Sequence, residues 1–302
     1  MYVFSFFKSL LRPRHILPTL YFLVNCAFVF LIFYYFMPFE LHPDPATNSV
    51  ILGLIGLGVN LLFIIISLSP LGEMLWRMRN GIQNRPAGEA ESRRWQIALQ
   101  VFEEVKAKAV QTSKSVSNKV QLYYSPTQDI NAYALGHRTV ILTRGILFAD
   151  PEYLKGVLAH EFGHIAHGDS DLKLGINVSN SILTIFMTFV SILANFIIGI
   201  LSGTDSNVGY LIYIVCRIVL NVIIMGVFKL WTLLGVLLLN ASSRKEEFLA
   251  DGFAKELGYA TQLAQFLHAI DGSGNRTNKF DLMFQTHPDT GDRLAGLGFE
   301  VA

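Results

Sequence analysis

HEFGHIAHGD, residues 160–169, sets two histidines four apart with a glutamate directly after the first. On a helix, residues four apart are offset by about 40° around the axis, so His160 and His164 project from one face and can share a cation. Glu161 is turned by about 100° from His160, near enough to reach a water on that cation and aimed too differently to ligate easily. Two imidazoles and one carboxylate base at this H-E-x-x-H spacing suit a zinc-type hydrolytic site. Gly163 adds weight, because glycine is costly inside a helix and usually admits a close neighbour. Asp150 followed by Pro151 supplies the helix start, an N-cap acid and a proline in the first turn.

Outward from this stretch the chain turns apolar. Of its 302 residues, 52% are hydrophobic and only 16% charged, and the apolar ones cluster. Ile16–Met37, Val50–Leu68, Leu174–Leu201 and Val208–Leu239 each reach the roughly twenty residues needed to cross a bilayer. The first is too long for a signal peptide and lacks a small-residue cleavage site, so it reads as a retained span. Lys8, Arg12 and Arg14 precede it, whereas the loop after it carries Glu40 and Asp44 and no Lys or Arg. Arg77, Arg79, Arg85, Arg93 and Arg94 follow the second span, Asp205 sits in the turn between the third and fourth, and Arg244 and Lys245 follow the fourth. The positive-inside rule therefore puts the N-terminus, the polar middle and the C-terminus in the cytoplasm. Arg217 and Lys229 fall within the fourth run, where a charge is expensive unless it snorkels or finds a partner; the run exceeds one span, so one of them is expected at an interface. A net charge of +1 says nothing by itself about nucleic acid, and no nucleic-acid partner is expected. Cys26 and Cys216 both lie in apolar runs and support neither a disulfide framework nor a thiolate metal site.

Two polar blocks remain, Arg77–Lys173 and Ser242–Ala302, each short for a domain and together the size of one. The expected organisation is a first transmembrane hairpin (1–70), the first part of a cytosolic domain (71–173), a second hairpin (174–240) and the rest of that domain (241–302). The fold class is mainly α with a small β-sheet. Glu89–Val110 carries Trp95, Ile97, Ala98, Val101, Phe102 and Val105 at helical spacing. Lys119–Tyr124 and Arg138–Thr143 read as strands, Asn131–Gly136 between them as an edge strand, and Asp271–Arg276 as a plain connection.

A hydrolytic zinc site wants three protein ligands and one open position. Candidates for the third are His167, Glu246, Glu247 and Asp251. His167 lies about 10 Å along the axis from His160, a poor fit to one tetrahedral ion. SRKEEFLAD, residues 243–251, is the better source: Glu247 and Asp251 are one turn apart, so Glu247 can reach the ion while Asp251 accepts the N–H of a liganding histidine. Glu246 points elsewhere and reads as a surface acid.

HEFGH followed after two spans by EFLAD, with NAYALG (131–136) and THPDTGDR (286–293), resembles the HtpX-type membrane metallopeptidases, bacterial relatives of the eukaryotic CAAX prenyl proteases. The resemblance implies a zincin-like domain with His160, His164 and Glu247 on one Zn2+ and Glu161 as general base. It implies that Asn131, Ala132, Tyr133 and Ala134 form the strand on which substrate lies extended, and that His287 and Arg293 approach the site. Arg293 would place substrate or steady the developing oxyanion, and His287 would assist or act as a reversible extra ligand. Leu135 departs from the pattern, where a small polar residue is expected. The resemblance further implies a bacterial inner-membrane enzyme of the stress response, acting on cytosolic regions of misfolded membrane proteins beside other quality-control proteases. Two alternatives compete. A CAAX-type processing protease needs more than four spans to enclose a chamber, and a non-catalytic zinc-binding adaptor has no need of Glu161.

Overall fold

In the computed structural model, whose described residues are 2–201, 207–271 and 290–299, most of the chain is helical. The order is α1 (Tyr2–Leu10), a 3-10 turn (Pro13–His15), α2 (Ile16–Phe36), α3 (Pro45–Ser67), α4 (Pro70–Arg79), α5 (Glu89–Thr112), β1 (Gln121–Ser125), β2 (Ala132–Leu135) and β3 (Thr139–Thr143). There follow α6 (Arg144–Leu147), α7 (Pro151–His167), α8 (Asp169–Leu201), α9 (Asn207–Glu256), α10 (Ala260–Asp271) and α11 (Thr290–Leu297). His287, Asp205, residues 272–276 of the expected connection and the side chain of Cys216 lie outside what is described.

The chain divides into two units. One comprises residues 1–16, 65–175 and 239–302, the other 17–64 and 176–238. The first therefore takes in 1–16, which the sequence suggested would run with the first hairpin, and it contains every candidate site residue that is described.

Its three strands are ordered β1-β3-β2, with β3 parallel to β1 and antiparallel to β2. All five residues of β3 are buried, as a central strand covered on both faces requires. β1 starts two residues later than its composition suggests, because a turn closed by Val120 N–H on the Ser117 carbonyl keeps Lys119 and Val120 out of the ladder. β2 is an edge strand. Thr143 N–H bonds the Asn131 carbonyl, so the antiparallel alternation turns the backbone groups of Ala132 and Ala134 away from β3. The apolar stripe of α5 covers the outer face of α7, where Phe102 stacks on Phe162 at 5.5 Å between ring centres.

The second unit holds most of the apolar length. Among the described residues, four stretches are long and apolar enough to cross a membrane: Pro13–Phe36, Pro45–Ser67, Asp171–Ile197 and Gly226–Glu256. The last overlaps the expected 208–239 and continues into the EFLAD segment, because α9 runs unbroken for 50 residues. Within this unit, small and polar residues bring helices together. Phe30 and Phe33 lie against Gly53 and Gly56, Trp231 Nε1 donates to Asn25 Oδ1 at 2.8 Å, and Tyr21 stacks on Trp231. Arg217 and Lys229 are both exposed, so neither charge is buried among the helices.

Candidate metal centre

The helix that carries HEFGH is fixed at both ends. Asp150 caps it by accepting the Glu152 N–H at 2.9 Å, and Gly168 ends it in the left-handed region at φ 70°, its N–H bonding the His164 and Ile165 carbonyls. Gly163 explains itself here. A Cβ at that position would lie 2.7 Å from Ala250 Cα and 2.9 Å from Ala250 O, so its absence lets α7 meet the backbone of α9 at the EFLAD segment.

That approach brings three donors together. His160 Nε2 and His164 Nε2 lie 3.2 Å apart, and the Glu247 carboxylate is 3.3 Å from the first and 3.4 Å from the second. Four-coordinate zinc with bonds of about 2.0–2.1 Å separates its ligands by about 3.3–3.4 Å, and these spacings, to Glu247 Oε2 from His160 and to Oε1 from His164, suit two nitrogens and one carboxylate around a single ion. All three residues are buried. A divalent metal fits this donor set.

The far side of each imidazole is also engaged. His160 Nδ1 meets Asp251 Oδ1 at 2.7 Å, and Arg293 clamps Asp251 by Nε to Oδ2 at 2.8 Å and Nη2 to Oδ1 at 2.6 Å. Burial pulls the His160 imidazole down, but Asp251 and Glu247 outweigh it and hold the pKa above its ordinary value. Burial likewise lowers His164, yet Asp169, Glu247 and Glu161 push it up to about 10. These positions describe imidazoles that a metal must deprotonate in order to bind. Glu161, beside His160, accepts the Ala134 N–H from β2 on Oε2 at 2.8 Å. The edge strand thus holds this carboxylate in place.

Other candidates fall differently. Arg293 is buried, clamping Asp251 behind His160 and lying 3.7 Å from the donor Glu247. Glu246 corrects an expectation: it is not a surface acid but 1% exposed, facing His15 Nε2 at 2.9 Å and Lys173 at 3.5 Å. The physical reason is that His15, far away in sequence, packs against it, which local sequence does not disclose. His167 turns its Nδ1 to the Gly163 carbonyl at 2.8 Å and stands outside the donor set. Sequence reasoning missed Asp169, whose Oδ2 lies 3.6 Å from His164 Nδ1. The available signal was Gly168, since a glycine at that helix end reverses the chain and returns the next residue to the last turn. A cavity of about 400 Å³ opens beside Glu161 and His160, bordered by Asn131, Ala132 and Arg293, with Val157, Leu263, Phe266, Leu267 and Ile270 as its apolar wall.

Four apolar helices and a buried His/His/Glu donor set flanked by a glutamate define a multi-pass membrane metallopeptidase. The chain belongs to peptidase family M48, whose profile matches residues 97–299. It is similar to a Campylobacter concisus protein named "Protease HtpX homolog", 28% identical over 215 residues, covering 62% of this chain and 70% of that one. It is also similar to "Protease HtpX" of Escherichia coli K12, 29% identical over 208 residues, covering 59% of this chain and 66% of the relative. The matched stretch thus spans about two thirds of those relatives. Among solved structures, S. mikatae Ste24p aligns with a TM-score of 0.42 at 17% identity, covering 92% of this chain and 63% of the other.

Proposed function

We propose that this protein is a zinc endopeptidase of the bacterial inner membrane, its catalytic unit in the cytoplasm, that cuts cytosolic segments of misfolded or damaged membrane proteins. The observation that carries the reading is the donor triangle of His160, His164 and Glu247 with Glu161 beside it. One zinc ion held there supplies the Lewis acidity that makes water nucleophilic near neutral pH. The chain supplies the rest. The outward backbone groups of β2 can pair with a peptide laid along the edge, which binds main chain with little regard to sequence. Glu161, oriented by the Ala134 N–H, takes the proton of the attacking water and hands it to the leaving amine. Asp251, clamped by Arg293, keeps His160 in the tautomer that presents Nε2. The apolar wall of the neighbouring cavity suits the large hydrophobic side chains that unfolded segments expose. The bilayer confines such an enzyme with its membrane-protein substrates.

The test is cleavage of an unfolded protein such as casein by the detergent-purified, zinc-loaded chain and by Glu161→Ala. The wild type should cut, and the variant should lose at least ~100-fold, the usual contribution of a general base. Equal rates would remove Glu161 as base, and no cleavage by either would return the protein to the binding class.

A further inference from the structure

Resting on that metal-centre reading and deepening it, we propose that Asp169 is a positioning residue for His164, held in place by Arg12 and Arg14. The N-terminal segment is then a working part of the metal site. The two candidate ligands on α7 are backed in parallel ways. Behind His160 stands Asp251, clamped by Arg293 from α11. Behind His164 stands Asp169, fully buried, with Oδ2 3.6 Å from Nδ1. Its other oxygen, Oδ1, takes Arg14 Nη2 at 3.1 Å and lies 3.8 Å from Arg12 Nη1. Oδ2 has no hydrogen-bond partner of its own among the described residues, which leaves it to the imidazole. Each histidine thus has an aspartate behind it and arginine behind the aspartate. One arginine comes from the C-terminal segment and two come from the N-terminal one.

The segment that brings those arginines is anchored independently. Arg12 Nη1 donates to the His167 carbonyl at 2.6 Å, at the end of α7. Phe6 is buried over Gly175, where a Cβ would lie 2.3 Å from its ring. His15 Nδ1 meets the Ser9 carbonyl at 2.7 Å, and its Nε2 faces Glu246 at 2.9 Å. His15, Asp169 and Glu246 also bring donor atoms within 4.8 Å of one another. A second metal there would have to displace Arg12 and Arg14 from Asp169 and Lys173 from Glu246, so the cluster is an ion-pair lock. Within it, Arg12 and Arg14 tie the chain just before the first apolar run, through Asp169, to a ligand of the metal, and their loss would free His164 to turn.

The full chain in detergent tests this through zinc affinity, measured by competition with a fluorescent chelator, and through the absorption bands of the Co2+ form. Asp169→Asn is expected to weaken zinc roughly 10- to 100-fold, the usual effect of removing such a partner, and to shift the Co2+ bands. Arg14→Gln is expected to weaken it less, with Arg14→Lys restoring most of the loss. Glu246→Gln unhooks His15 on the same segment but leaves Asp169 with its arginines. It should lower thermal stability and keep wild-type zinc affinity. An Asp169→Asn chain that binds zinc like the wild type would overturn the proposal, as would a Glu246→Gln chain equally weakened. Should Asp169→Asn not fold, Arg14→Gln with unchanged affinity would overturn it alone. A wild type that binds no zinc would instead sink the metal-centre reading itself.

Discussion

Gly163 and the two imidazoles around it show how much a single position decides. A methyl at 163 would meet the backbone of Ala250, which cannot swing aside as a side-chain tip can. Gly163→Ala should therefore cost about 1–3 kcal/mol of stability through overpacking. It should also weaken zinc, because α7 is pushed away from Glu247. An unchanged melting curve and zinc titration would contradict this. His164 carries a pH signature. Its pKa in the metal-free site is raised to about 10 from an ordinary 6.5, so the stability it contributes is fully present below 6.5 and lost as the pH climbs through 10. Protein stripped by chelator should accordingly melt at lower temperature as the pH rises across that interval, and His164→Gln should flatten the dependence. A melting temperature indifferent to pH in the stripped wild type would refute it. At this scale the spacing of His160, Glu161 and His164 was legible because it is local. Asp169 was not, although it stands in the same ten residues, because its role depends on a left-handed turn at Gly168 and on arginines far away in the sequence.

Among elements, β2 and α9 carry the proposed function. The outward groups of β2 belong to Ala132 and Ala134, and the N–H of Ala134 is engaged by Glu161, so the outward N–H left for a substrate's carbonyl is that of Ala132. Ala132→Pro deletes that donor at an edge position, where proline is tolerated. We expect kcat/KM on an unfolded substrate to fall about tenfold, the worth of one hydrogen bond, while zinc affinity stays unchanged. Unaltered cleavage would take the peptide off this edge. The strand was legible from its place along the chain between two others. What composition could not give was which residues face outward, since that depends on its pairing with β3. α9 was legible in halves, as an apolar run and as EFLAD. That the two are one continuous helix follows from the absence of any helix-breaking residue between Leu239 and Glu246, a signal that the change from apolar to charged residues hid. Glu246 was misread for a related reason: its neighbours in sequence are charged, but its neighbours in space are His15 and Lys173.

Over the whole molecule, the candidate ligands come from either side of the second apolar hairpin. An ion bound by His160, His164 and Glu247 therefore joins two segments that the chain itself connects only through that hairpin. Binding that occurs in the folded state alone stabilises it, so chelation should lower the melting temperature of the wild type and added zinc should restore it. Glu247→Gln should respond to neither. The number of apolar helices and the pairing of HEFGH with EFLAD were readable because each depends on a short run of residues. The arginine-backed aspartates were not, because each joins residues that meet only when the chain has folded. The most direct measurement is the zinc X-ray absorption spectrum of the purified protein beside that of Glu247→Ala. Two imidazole nitrogens and a carboxylate oxygen around the ion, with no sulfur and with the oxygen shell altered in the variant, is the outcome expected. A spectrum without imidazole, or one that Glu247→Ala leaves untouched, would contradict the account.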